Sequence, residues 1–104
     1  MNVLISRRAE DDLASIFARI SRERPSSAEA FKAAAEASCR LLETHPEVGP
    51  SVRFRTRHEG LRFWPVTDFQ NYLIYYTVGS NEVSVERVLD GRRDVAHILS
   101  AREV

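Results

Sequence analysis

The sequence has 104 residues, of which 43% are apolar and 29% are charged, and its formal net charge is zero. These proportions are typical of a single globular domain over residues 1–104 and exclude an intrinsically disordered chain. The balanced charge argues against a purely electrostatic nucleic-acid binder, and we expect no direct sequence-specific DNA binding.

Cysteine, histidine and apolar content exclude further classes of protein. The single cysteine, Cys39, rules out an internal disulfide and is typical of a reducing compartment. No N-terminal signal is present, and no apolar run approaches the roughly 18 residues of a membrane span, so we expect a cytoplasmic protein without membrane contact. Since His45, His58 and His97 are scattered and no glycine-rich phosphate loop occurs, we expect neither a metal nor a cofactor.

The first half of the chain predicts a short strand and two helices. Val3-Leu4-Ile5 is an apolar run, and Ser6 is placed to cap a helix that ends before Pro25. Apolar residues recur on one face of this helix at Ala9, Leu13, Ile16, Phe17 and Ile20. A second helix over Ser27–Thr44 begins with a predicted capping box from Ser26 to Glu29. Its many alanines and the short connection predict a tight antiparallel helical hairpin.

Residues 47–60 lose this periodicity and form the most basic segment of the chain. Its cationic and histidine side chains are Arg53, Arg55, Arg57 and His58, with only Glu59 opposing them. A solvated loop and a contact site for an anion or a partner both explain this composition, and the residues leave the two open.

Three strands are predicted after this loop. They are Leu61–Val66, Asn71–Val78 and Val83–Leu89, the last two joined by a Gly79-Ser80-Asn81 hairpin. Pro65 marks the first as an edge strand, whereas the second is apolar on both faces and therefore central. One or two helical turns follow around Val95. The predicted fold class is α+β: a helical hairpin packed on a mostly antiparallel sheet, with a short N-terminal strand and three consecutive C-terminal strands.

Two features of this fold could carry function. One is the apolar face shared by the helices and the sheet, part of which a domain of this size often leaves open as a groove. The other is a basic cluster around the end of the last strand, comprising Arg62, Arg87, Arg92, Arg93 and His97. In an RNA-cutting site, such arginines could stabilise a phosphorane while His97 acts as general acid. Alternatively, Arg87 pairs with a carboxylate across the sheet, and Arg92 and Arg93 pair with Asp90 or Asp94 or contact another protein.

Three segments of the chain carry a family resemblance. They read RFWPV over residues 62–66, FQNYLIYY over 69–76 and VERVLDGRRD over 85–94, and the first helix adds the spacing Ala9, Asp12, Leu13, Ile16. With these motifs, nearly the whole chain resembles the toxins of the RelE/ParE superfamily from bacterial type II toxin–antitoxin operons. The motifs look more like the ParE branch than the RelE branch. Asp90 is a small departure, since ParE-like chains often have histidine before Gly-Arg-Arg.

The resemblance implies a partner and a target. A ParD-like ribbon-helix-helix antitoxin would form a hetero-oligomer with the toxin, its C-terminal segment folding on binding into an apolar groove with basic anchors. Free ParE-like toxins poison DNA gyrase by binding it, so no catalytic residue is expected. The candidates for contact with target or antitoxin are Arg53, Arg55, Arg57, Arg62, Trp64, Arg87, Arg92 and Arg93.

Two alternatives remain within the same resemblance. RelE-like enzymes cleave messenger RNA on the ribosome with an arginine in the central strand, and the matching position here is Leu73, which cannot stabilise a phosphorane. Their lysine cluster is also missing, because Lys32 is the only lysine. The ribonuclease alternative would have to use Arg87, Arg92 and His97. The other alternative is a scaffold that has lost its toxicity but still binds the antitoxin.

Overall fold

A computed structural model describes residues 1–100 of the chain as four strands and three helices. The elements in order are β1 (Asn2–Ile5), α1 (Arg7–Glu23), α2 (Pro25–Thr44), β2 (Arg62–Val66), β3 (Phe69–Val78), β4 (Glu82–Asp90) and α3 (Val95–Ile98). The strands form one sheet in the order β1-β4-β3-β2, in which β1 runs parallel to β4 and the other neighbours are antiparallel. The predicted fold class is therefore confirmed.

The start of α1 is fixed by Ser6, as predicted. Its Oγ accepts a hydrogen bond from the backbone N–H of Ala9 at 3.0 Å, which satisfies one of the unpaired donors of the first helical turn. The same hydroxyl donates to the carbonyl oxygen of Glu86 at 2.8 Å. One side chain thus begins the helix and ties that end of it to β4.

The connection between the two helices differs from the prediction. The capping box at Ser26 is wrong: α2 begins at Pro25, and Arg24 occupies the N-cap position without a side-chain hydrogen bond. Proline suits the first helical turn because its missing N–H has no partner there in any case. Arg24 alone separates the helices, its N–H donating to Ile20 and its carbonyl accepting from Ser27. The tight hairpin itself is confirmed.

In the sheet, β3 is central and β2 is an edge strand, both as predicted. However, β3 begins at Phe69, earlier than the predicted Asn71. Asp68 adopts a left-handed backbone conformation with φ 67°, and the turn it makes brings Phe69 directly opposite Val66. Aspartate is among the few residues other than glycine that adopt this conformation at modest cost.

The two faces of the sheet pack against different parts of the chain. Ile74 and Tyr76 belong to the main core, which lies between the sheet and the helices α1 and α2; we call this side the helix face. Leu73 and Tyr75 point to the other side, where Val52 and Phe54 of the long loop and Leu99 after α3 pack against them. We call this side, covered by residues 47–60 and 95–99, the loop face.

Among residues 1–100, no helix has both the length and the apolar character that crossing a membrane requires.

Candidate functional site

An apolar groove opens on the helix face where α1, α2 and the edge strand β1 meet. Its volume is about 570 Å³. Its lining residues are Val3, Ile5, Leu13, Ala14, Phe17, Phe31, Lys32, Ala35, Glu36 and Cys39. The groove stays open because β1 is only four residues long and ends the sheet on this side. We call it the hairpin groove.

The chemistry of the hairpin groove is almost entirely apolar. Lys32 and Glu36 are its only charged lining residues, and they lie one turn apart on α2. Burial raises the pKa of the Cys39 thiol to about 11, so this side chain is a neutral part of the wall rather than a nucleophile. The groove is therefore suited to hold apolar side chains, and it lacks a set of groups that could carry out acid–base chemistry.

Arg87 lies on β4, but its guanidinium is held by helix α1. Its Nε and Nη2 donate to the two carboxylate oxygens of Asp12 at 2.8 Å and 3.0 Å, and the Val88 N–H adds a third bond to Asp12 at 3.0 Å. Hydrogen bonding to Asp12 raises the pKa of Arg87 further, which stabilises its charged form. The carboxylate partner expected for Arg87 thus exists, although it comes from the helix and not from across the sheet.

Arg92 pairs with Asp90 at the end of β4, one of the pairings anticipated from the sequence. Its Nη2 lies 2.7 Å from Oδ2 of Asp90, and both its Nε and its backbone N–H donate to Oδ1. These bonds lower the pKa of Asp90 to about 2. The carboxylate is buried while 68% of the Arg92 side chain is exposed, so the arginine covers the acid and faces solvent.

The other candidate contact residues are spread over both faces of the sheet. Arg53, Arg55 and Arg57 are exposed in the long loop, and Arg93 is exposed after β4. Arg62 turns back to the loop, where its Nη1 donates to the carbonyl oxygens of Glu47 and Gly49 at 3.3 Å and 2.7 Å. Trp64 packs against the core on the helix face. The structure therefore does not gather these residues into one cluster.

Two residues of the ribonuclease alternative, Arg87 and His97, lie on opposite faces of the sheet. The Arg87 guanidinium is turned toward α1 on the helix face. His97 is exposed on α3, which packs on the loop face, and its backbone N–H donates to Asp94 at 3.1 Å. The centre of β3 carries the half-buried apolar side chain of Leu73. For metal chemistry, no group of three or more histidine, cysteine, aspartate or glutamate residues within 1–100 is placed to bind an ion.

A second recess, on the loop face, was missed by sequence reasoning. Its volume is about 430 Å³, and it is lined by Pro50, Ser51, Val52, Arg53, Phe54, Phe63, Leu73 and Tyr75. We call it the loop-face cleft. A signal for it does exist in the sequence, because Val52 and Phe54 alternate with arginines in the basic segment. Each residue from 51 to 58 is alternately exposed and half-buried. This pattern of apolar residues under a basic surface indicates a loop that packs on the sheet.

The helical hairpin packed on a mixed four-stranded sheet defines the molecule as a small α+β protein. The family model described as "ParE toxin of type II toxin-antitoxin system, parDE" matches residues 3–95. The chain therefore belongs to the ParE toxin family, and this membership implies an antitoxin partner.

A solved structure has a fold similar to that of this chain. The chain is similar to a structure described as "Chromosomal ParDE TA system from P. aeruginosa", with a TM-score of 0.69 and 17% sequence identity. The similarity covers 85% of this chain and 92% of the other. No curated protein sequence matches the chain.

Proposed function

We propose that this protein is a ParE-like toxin that inhibits bacterial growth by binding and poisoning DNA gyrase in the cytoplasm. A ParD-like ribbon-helix-helix antitoxin neutralises it by forming a hetero-oligomer. Membership of the ParE toxin family supports this proposal. The hairpin groove is the single observation that supports the way in which the antitoxin would bind.

The hairpin groove is well suited to the antitoxin. Side chains from α1, α2 and β1 form an apolar surface that exists before any partner binds. An amphipathic segment that folds on binding can lay its apolar face into such a groove, and burial of that face offsets the entropy lost on ordering. Lys32 and Glu36 at the groove supply one charge of each sign, which can fix the register of the bound segment.

Gyrase is favoured over messenger RNA as the target by the residues on β3 and β4. Leu73 stands in the centre of β3, where the RelE-like reading requires a cation, and a leucine side chain cannot stabilise negative charge. Arg87 already makes a two-pronged pair with Asp12, and breaking that pair to reach a phosphate would leave a half-buried carboxylate without its partner. A protein that acts by binding requires neither residue to be free.

The proposal is tested with toxin expressed alone and together with the antitoxin encoded next to it. We expect growth arrest that the antitoxin reverses, and purified toxin should inhibit plasmid supercoiling by gyrase and accumulate cleaved DNA. Ala14 lines the hairpin groove and is exposed, so Ala14→Arg should keep the toxicity but weaken antitoxin binding at least about tenfold, because a charge then enters an apolar site. Ala18→Arg, at an exposed position on the same helix that does not line the groove, is the control.

Three results would contradict the proposal. Unchanged growth would favour the non-toxic scaffold. Cleavage of message on translating ribosomes that is lost in His97→Ala would favour the ribonuclease. Equal antitoxin affinity of Ala14→Arg and Ala18→Arg would remove the hairpin groove from the antitoxin interface and leave the gyrase part of the proposal standing.

A further inference from the structure

We propose that the loop-face cleft docks the target protein by taking an acidic segment that inserts one apolar side chain into the cleft. The cleft lies on the side of the sheet opposite the hairpin groove, so target and antitoxin make their main contacts with different faces. This inference rests on the proposed function, in which the free protein acts by binding another protein.

The wall of the cleft is held in place by backbone hydrogen bonds. The N–H of Phe63 donates to the carbonyl oxygen of Pro50 at 3.1 Å, and the N–H of Val52 donates to that of Leu61 at 3.0 Å. Just before this wall, the Gly49 N–H donates to the buried hydroxyl of Tyr76 at 2.9 Å. A Cβ at Gly49 would overlap the Phe63 carbonyl oxygen, so the loop lies as close to β2 as a backbone can. A site fixed in this way loses little entropy when a ligand binds.

The floor of the cleft is aromatic and apolar. The rings of Phe63 and Tyr75 lie 6.2 Å apart between centroids with their planes inclined at 40°, and Leu73 lies beside them. Burial raises the pKa of the Tyr75 phenol, so its hydroxyl stays neutral and can donate a hydrogen bond. The volume of about 430 Å³ is in the lower part of the range of roughly 300–1,000 Å³ for ligand sites, which is enough for an apolar side chain with its neighbours.

The rim of the cleft is positively charged. Arg53 lines the cleft and is exposed, as are Arg55 and Arg57 further along the same segment, while Val52 and Phe54 turn toward the sheet. Glu59 is the only carboxylate between residues 50 and 60. The Glu86 carboxylate accepts a hydrogen bond from Thr77 at 3.0 Å, and its other oxygen lies 3.8 Å from Nδ1 of His58 in the same segment. An apolar cleft beneath arginines is complementary to a segment with carboxylates on both sides of an apolar anchor.

A protein segment fits this surface better than RNA does. Ser51, Arg53 and Tyr75 are the only lining residues with polar side chains, so the cleft offers few groups to read the edge of a base. The whole chain is electrically neutral, which gives no long-range attraction for a polyanion. A short acidic segment requires only the local charge of the rim.

The test uses two variants at exposed positions, each with a matched control. Ser51→Trp places a ring over the cleft, and Ser80→Trp adds the same ring at the β3–β4 turn. Arg53→Glu reverses a charge at the rim, and Arg24→Glu does so in the turn between α1 and α2. All four residues are exposed, and circular dichroism and thermal unfolding verify that the variants fold.

Three properties are measured for each protein: growth arrest, affinity for purified gyrase at low and high salt, and affinity for the antitoxin. We expect Ser51→Trp and Arg53→Glu to lose growth arrest and to bind gyrase at least about tenfold more weakly, with the antitoxin affinity unchanged. The controls should behave as the unmodified protein. The affinity of the unmodified protein for gyrase should fall as salt rises, and Arg53→Glu should show a smaller salt dependence.

The outcomes separate this inference from the proposed function. Full toxicity and gyrase affinity in both cleft variants would overturn the docking site and leave gyrase as the target. Loss of arrest in the cleft variants, with no gyrase binding by the unmodified protein, would support the docking site and overturn gyrase. Absence of both arrest and gyrase binding in the unmodified protein would overturn both. Tight binding of a single-stranded RNA oligonucleotide that Ser51→Trp abolishes would replace the acidic segment with a nucleic acid and overturn the inference.

Discussion

The helix face and the loop face of the same sheet are covered in different ways. On the helix face, two long helices bury Ile74 and Tyr76 almost completely, and the ion pair between Asp12 and Arg87 ties α1 to β4. On the loop face, an irregular loop and a short helix leave Phe63 and Leu73 half-buried, and a cleft remains between them. The long helices thus cover the centre of the sheet and leave a groove only beside its edge strand β1, whereas the irregular loop leaves a cleft over β2 and β3 themselves.

The largest effect that tests this difference is expected from Ile74→Ala. Ile74 is 1% exposed in the central strand, so its truncation leaves a cavity and should lower the free energy of unfolding by about 2–5 kcal/mol. Chemical denaturation measures this change. Leu4→Ala is the control. Leu4 lies on β1 and is 50% exposed, so this change should alter the free energy of unfolding by no more than about 0.5 kcal/mol. If Phe63→Ala on the loop face costs as much as Ile74→Ala, the two faces contribute equally and the comparison fails.

A smaller effect is expected from Asp12→Ala. This change leaves the half-buried Arg87 guanidinium and the Val88 N–H without their partner, which should cost about 1–3 kcal/mol. Asp11→Ala, at the exposed neighbouring position, is the control for the loss of an acid near the start of α1. A loss of stability no greater than that of the control would show that the ion pair does not hold α1 on the sheet.

The smallest effect is a pH dependence of the free energy of unfolding, caused by Asp90 at the end of β4. The pKa of Asp90 is about 2 in the folded protein, below its ordinary value of 3.8, because Arg92 donates hydrogen bonds to the carboxylate. The resulting stabilisation is fully present above about pH 4 and is lost as the pH falls toward about 2. The difference in unfolding free energy between the unmodified protein and Asp90→Asn should therefore shrink over this window. Arg92→Ala should remove the same dependence, and a difference that stays constant with pH would refute the assignment.

Much of the fold could be predicted because its signals are local. The apolar stripe of the first helix, the cap at Ser6 and the strand that is apolar on both faces each depend on a few neighbouring residues. The prediction failed where local signals competed, since Pro25 and Ser26 can both begin a helix and the connection was too short to hold a separate cap. It was also incomplete at Asp68, whose positive φ depends on the pairing of Val66 with Phe69.

The candidate site was harder to predict because its geometry is set by distant partners. The sequence offered arginines as candidate contact residues, but the partner of Arg87 lies 75 residues away on another element. The loop-face cleft depends on the course of residues 47–60, which is fixed by the contact of Gly49 with Tyr76, 27 residues further along the chain. Such contacts have no local signature.

The hydrogen bond from the Ser6 hydroxyl to the carbonyl oxygen of Glu86 bears on when the protein can fold during its synthesis on the ribosome. It joins residues 80 positions apart, and the parallel pairing of β1 with β4 beside it is equally long-range. The helical hairpin is complete at Thr44, so at a synthesis rate of about 5–20 residues per second it waits on the order of 2–8 s for Glu86 in the strand that completes the sheet. Until then β1 has no neighbouring strand in the sheet. The sheet that carries both the hairpin groove and the loop-face cleft is therefore complete only when β4 has been made.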